Sequence, residues 1–358
     1  MNRRRLLKNM PFCALVLTEH AQAATKTIAN NCLTPAAATP FHRASDLVRG
    51  GLQGHWLPRA HAFARAASEL HQALHIPPAD VSARRAAWVR CMLTWEQLAA
   101  VPAGALLERR SVRTLDFWPT RPAQVQALAR IAQSTDTEAL AAKVHAVGVG
   151  AKGLPALEWL LWTHPNDPGA QALAAALSAE VSAEAATLLQ AYQTAARAAD
   201  SDQMDEAQAW TDYGEWFTQS MGSLEQLRLK KTRVNTRGKD SAIWVRGLSG
   251  QTSAAWQAQW EGIAHFLVGD ARGNCASADD AIAPSFTNLL RSRGHLAPAS
   301  QLTLQLTKTR RAVQAARPQL ANTVLAAQHS LAVLHAMTSD MGAGLFDFSQ
   351  GFTDADGD

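Results

Sequence analysis

Residues 153–162, GLPALEWLLW, place one carboxylate, Glu158, in an otherwise apolar run. Leu154, Ala156, Leu157, Trp159, Leu160, Leu161 and Trp162 surround it, so a helix here is buried on all sides. A buried carboxylate needs an arginine, a histidine, a metal or a proton beside it. Arg113, in an arginine-rich connection upstream, is the candidate partner. Gly153 can end the preceding segment in an unusual backbone conformation. Pro155 suits the first helical position, where a missing N–H costs nothing. Glu158 then lies about one turn in, where the positive end of the helix dipole favours a negative charge. A first-turn acid therefore stabilises the helix start even without catalysis.

Other residue types invite chemistry at their spacings. His71 and His75 are four apart on one helix and can clamp a metal or haem, although such a pair more often faces solvent. His42 and His61 lie in the same region, and His265 sits on a tryptophan-bearing helix. Trp118, in an FWP triplet, is a candidate wall of a ligand site, and Ser249, after WVRGL, is placed to cap the helix that follows. Asp354, Asp356 and Asp358 form an acidic tail without the full calcium-loop pattern. There is no H-E-x-x-H, and a zinc hydrolase needs about three protein ligands and an open position.

The elements that must position these residues are helical. Alanine is abundant and β-branched runs are nearly absent among 358 residues, 47% of them hydrophobic. A long helix is expected over about 42–75, bent or broken by Gly50, Gly51 and Pro58, and another over about 82–100 with Trp88, Cys91, Met92, Trp95 and Leu98 on one face. VPAGALLERRSVRTLDFWPTRP reads as a loop-rich connection. Helices follow at about 122–133, 138–147, 170–199, 203–229, 277–292, 298–316 and 318–340, and one carries Trp256, Trp260, Ile263 and Leu267 on a shared face. LKKTRVNTRGKDS is a basic polar hinge. The expected fold is all-α: an extended segment over 24–40, a helical bundle over 41–200 and a second over 201–358.

The N-terminus reads as an export signal. Arg3, Arg4, Arg5 and Lys8 precede a short apolar run and an A-x-A cleavage pattern ending at Ala23, and NRRRLLK has twin-arginine character. Removing four basic residues and Glu19 leaves 30 Lys and Arg against 29 Asp and Glu. A nearly neutral mature chain gives no electrostatic case for nucleic acid or an anionic membrane. No transmembrane segment is expected. A periplasmic location follows, without a lipid anchor, because Phe12 precedes Cys13 where a small residue is needed. Cys32, Cys91 and Cys275 remain and allow one disulfide in three pairings.

GLPALEWLLW resembles the signature segment of the imelysin-like family, whose members include iron-regulated periplasmic proteins. RTLDFWPTRP, SAIWVRGLSGQTSAAWQAQWEGI and GFTDADGD resemble three further family segments in the same order. The resemblance covers about residues 40–358. It implies two packed helical bundles with a site between them, a part in bacterial iron uptake alongside membrane components, and an older assignment as a metallopeptidase. Iron or haem is the ligand it implies. The family motif is Gly-x-His-x-x-Glu; Gly153 and Glu158 match it, and Pro155 stands where the histidine belongs. Under this reading Glu158, Arg113, Trp118 and Ser249 line the ligand site of a binding or accessory protein. A metal-dependent peptidase, or a docking protein that has lost its metal site, are the alternatives.

Overall fold

In the computed structural model, residues 40–75, 80–201, 204–232, 244–269 and 284–348 are described. They hold helices and no strand. The signal-like segment, Cys32, Cys275 and the aspartate tail lie outside the described residues.

The first helices are α1 (Ala44–Gly50) and α2 (Leu57–His75). A π-helical stretch, Gly51–Trp56, joins them. The glycine pair thus widens the helical path instead of breaking it, and Pro58 lies just past the widened stretch, as the second residue of α2. Next comes α3 (Val81–Leu98). The expected loop over 101–122 contains two short helices, α4 (Ala105–Glu108) and α5 (Ser111–Leu115). Then follow α6 (Pro122–Ala132), α7 (Thr137–Ala146), α8 (Gly153–Thr163) and α9 (Pro168–Ala199). The second half holds α10 (Glu206–Gln226), which runs on as a π-helical stretch over Leu227–Lys231, then α11 (Thr252–Val268), α12 (Phe286–Ser292), α13 (Leu296–Ala315) and α14 (Ala321–Phe346).

Helices α2, α3, α6, α7, α8 and α9 pack among themselves, with α9 lying along α2. Helices α10 to α14 form a second group. The groups are knit where α1 lies on α10, where α11 lies on α3, and where the π-helical stretch Gly51–Trp56 meets α11. The α11–α3 approach is close because Gly262 has no side chain. A Cβ there would fall 2.3 Å from the Ala100 Cβ and 2.6 Å from the Gln97 carbonyl oxygen. One continuous apolar core runs through both groups.

By length and composition alone α9 is apolar enough to cross a membrane. In this fold Leu173, Leu177, Val181 and Leu188 point inward from it. Its outer face carries Glu180 and Glu184, which ion-pair with Lys152 and Arg109. Cys91 is a free thiol buried in the core. Burial pushes its pKa up to about 12. It takes no part in a disulfide, so the two pairings that would use it are ruled out.

Candidate functional site

Helix α8 starts at Gly153, two residues before the expected first position at Pro155, so no acid stands in its first turn. Gly153 has φ of +67°, and a Cβ there would sit 2.2 Å from the Leu115 carbonyl oxygen. Only glycine allows both the left-handed backbone and this approach. The close contact fixes the start of α8 against the end of α5. Trp88, from α3, donates its indole N–H to the Leu154 carbonyl at 3.1 Å. Glu158 is 1% exposed, as its apolar neighbours require.

The partner of Glu158 is Ser249, not Arg113. Glu158 Oε1 accepts from the Ser249 backbone N–H at 2.9 Å and from its hydroxyl at 2.6 Å. Arg113 is exposed, because α5 turns Leu115 inward and Arg113 outward. Nor does Ser249 cap α11. The residue before that helix is Gln251, which makes no side-chain cap, and the Ser249 hydroxyl is committed to Glu158. Burial raises the Glu158 pKa; the two Ser249 donors and the nearby Arg246 charge oppose that without cancelling it.

Behind Glu158 lies an ionic network that the sequence reading did not single out. Arg246 is fully buried in the turn before α11. Its Nη2 donates to Asp116 Oδ1 at 2.6 Å and Glu96 Oε1 at 3.1 Å, and its Nε donates to Glu96 Oε1 at 3.3 Å. The guanidinium lies 5.8 Å from the Trp88 ring centroid. Lys231, at the end of the π-helical stretch, donates to the other Glu96 oxygen. Trp95 donates its indole N–H to Asp116 Oδ2 at 3.2 Å. Burial would raise the Glu96 pKa, but Lys231 and Arg246 together hold it below the usual value. Asp116 is shifted up, first by burial and then by the Glu96 charge, against the pull of Arg246. Arg246 stays charged, since three carboxylates outweigh its desolvation. It holds φ of +60°, a costly backbone for an arginine, and the network pins it there.

A cleft of about 750 Å³ opens over this network. One wall comes from α3 and the α4–α5 region and includes Arg110, Arg113, Phe117 and Trp118. The other comes from α10, the π-helical stretch beyond it and α11, and includes Gln226, Lys230 and Gln259. Glu96, Asp116 and Lys231 form the floor. The structure therefore brings Arg113 and Trp118 together in the cleft and sets Glu158 and Ser249 behind it. RTLDFWP and WVRGL already contained Asp116 and Arg246, but nothing local marks them as partners: they stand 130 residues apart.

The histidines stay outside the cleft. His71 and His75 have ring centroids 5.4 Å apart, and His71 Nδ1 lies 3.2 Å from the Ser178 hydroxyl. His61 is exposed and His42 buried. His265 meets His55, which no motif or spacing marks, at 3.2 Å between Nδ1 atoms. His55 is buried against Trp56 and Phe266, which pushes its pKa well down; Arg59 and His265 push it the same way.

The residues present do not fit a metal at the signature. Pro155 has no donor atom, and Ser249 occupies one Glu158 oxygen twice over. Glu96 and Asp116 are engaged by cations and an indole. Among the described residues no three His, Cys, Asp or Glu gather closely enough to hold an ion. Nor does the cleft lining include His, Cys, Met or Tyr, the side chains that ligate haem iron.

A family model described as Imelysin matches residues 54–339. An imelysin-like protein from Psychrobacter arcticum 273-4 superposes with a TM-score of 0.68 at 16% identity, covering 88% of this chain and 100% of that one. A putative iron-regulated protein A precursor from Parabacteroides distasonis ATCC 8503 gives 0.67 at 14% identity, covering 88% and 97%. At these identities the likeness carries the fold alone. No curated protein matches the chain.

Proposed function

The chain belongs to the imelysin family, and from that premise we propose that it is an exported binding or accessory protein of iron acquisition, not a peptidase. The observation that carries this reading is the cleft between the two helix groups, open to solvent above and closed by paired charges below. A hydrolase needs a nucleophile or a metal-bound water with a base beside it. Here the carboxylates that would serve as base or ligand are already held by Arg246, Lys231, Trp95 and Ser249. What remains free for a ligand is the upper wall, where Arg113 and Trp118 stand. The name of the Parabacteroides neighbour supports the link to iron. In this reading residues 1–23 direct export, and the mature protein works in the periplasm beside membrane components of iron uptake.

The test combines growth and hydrolysis. A strain lacking the protein should grow poorly when an external chelator limits iron, and the wild-type gene should restore growth. The purified protein should leave a general protein substrate intact, with or without added zinc. Hydrolysis abolished by a chelator, with iron-limited growth unaffected, would replace this reading with a metal-dependent peptidase.

A further inference from the structure

We propose that the cleft binds an aromatic hydroxycarboxylate, through a guanidinium pair at Arg110 and Arg113, an aromatic wall at Phe117 and Trp118, and an acceptor at Gln259. The proposal deepens the binding-protein reading by naming the chemical class of its ligand.

The charge comes first. Arg110 and Arg113 both line the cleft and are exposed, and neither has a carboxylate partner among the described residues. The acids at the floor cannot serve them, because Glu96 and Asp116 are taken by Lys231 and Arg246. Two unpaired guanidinium groups over a neutralised floor suit a carboxylate, which each can hold with two parallel N–H donors.

The backbone shows that Arg110 is placed there at a cost. Its flanking residues, Arg109 and Ser111, both grip Glu184 of α9: Arg109 with two bonds of 2.9 and 2.6 Å, Ser111 with one of 2.6 Å. Arg110 itself is left at φ of +54°, between α4 and α5. Non-glycine residues hold this conformation only when their surroundings impose it, and such strain gathers at functional sites. Among the described residues only three non-glycine positions do so, and two of them, Arg110 and Arg246, belong to this cleft or to the network beneath it.

The remaining lining sets the rest of the ligand. Phe117 and Trp118 are half-buried beside the arginines and offer ring faces to a flat apolar group. Gln259 is 2% exposed, lines the opposite wall, and donates to Gln226 at 3.4 Å. Its Oε1 accepts from nothing in the protein. A buried carbonyl oxygen without a donor is costly, and a ligand hydroxyl supplies one. Carboxylate, ring and hydroxyl together define the class.

The test is calorimetry and tryptophan fluorescence with 2,3-dihydroxybenzoate. Saturable binding that weakens with salt is expected. Arg110→Ala with Arg113→Ala should weaken it by about tenfold or more, and both side chains are exposed, so folding is not at stake. Gln259→Leu should narrow the advantage of 2,3-dihydroxybenzoate over benzoate. Failure of 2,3-dihydroxybenzoate to bind, or binding indifferent to the double arginine substitution, overturns the proposal. Citrate binding as tightly as the aromatic acid overturns it too. Tight binding in a protein whose loss leaves iron-limited growth unchanged would keep the ligand class and sink the iron role, so the two readings fail separately.

Discussion

Glu158 keeps one oxygen on two donors from a single serine, and that geometry separates its charge from its shape. Glutamine presents the same acceptor oxygen, so Glu158→Gln should preserve both bonds to Ser249. Alanine removes the acceptor and strands the Ser249 N–H, while the hydroxyl keeps the Arg246 carbonyl at 3.1 Å, and the loss should cost about 1–3 kcal/mol. The pH dependence adds a sign. Burial raises the folded pKa above the usual 4.5, so the folded state holds its proton more tightly than the unfolded state. Stability from this group is present at low pH and is lost as pH rises from about 4.5 through the raised value. Glu158→Gln should therefore gain on the wild type as pH climbs from 4 to 7, measured by urea unfolding. A constant difference across that range would mean that Glu158 is ionised without penalty. Its burial was legible from seven apolar neighbours; its partner was not. An Arg113 pairing was the natural inference from charge, but only the turn of α5 decides that Arg113 faces outward.

At the scale of the element, two local devices set where helices begin and how they join. Gly153 lets α8 start against the Leu115 carbonyl. Gly153→Ala should destabilise by about 1–3 kcal/mol from the left-handed backbone alone, and more from the clash. A thermal midpoint unchanged in that variant would refute the role of the close approach. The second device is the π-helical stretch between α1 and α2, which carries His55 into contact with His265 of α11. The folded pKa of His55 lies well below 6.5, so its neutral form belongs to the folded state. Its contribution is intact above about 6.5 and is lost as pH falls below it. His42, His71 and His335 are shifted the same way and add to the slope. The facing His265 ring disfavours a second charge, while Arg59 beside His55 works against any charge there. His55→Phe should thus flatten the loss of stability between pH 7 and 5, and an unchanged slope would assign it to the other histidines. Periodicity found nearly every long helix, since each carries a face of spaced apolar residues. It read Gly50 and Gly51 as a bend or a break because composition does not distinguish either from a widened helix, and it missed α4 and α5 because a single turn has no period.

For the whole molecule, the joint between the two helix groups is electrostatic as well as apolar. Arg246, on the turn before α11, reaches Glu96 of α3 and Asp116 beyond α5, across 150 and 130 residues of chain. Sequence patterns report neighbours within a few turns; contacts of this span form only when the fold closes, which is why the two-group architecture was readable and its central arginine was not. Removing Arg246 leaves Glu96 with Lys231 alone and Asp116 with one indole donor. Because the guanidinium is fully buried, Arg246→Ala should cost about 3–5 kcal/mol. The same truncation could act by lost packing on Trp88, so a double-mutant cycle is needed. Glu96→Gln keeps the shape of the floor and removes its charge. If the ion pair holds the groups together, Arg246→Ala should cost much less in the Glu96→Gln background, a coupling of about 0.5–3 kcal/mol or more. Fully additive costs would reduce Arg246 to a packing residue. Glu96 also predicts the acid limb. Its folded pKa lies below 4.5, so its stabilisation is present above that pH and is lost as pH falls through the lowered value. Glu158 and Asp116 slope the other way, so they offset part of the loss that Glu96 and the lowered histidines drive as pH falls. In Glu96→Gln that final limb should be shallower, because the group that releases Arg246 and Lys231 on protonation is already neutral.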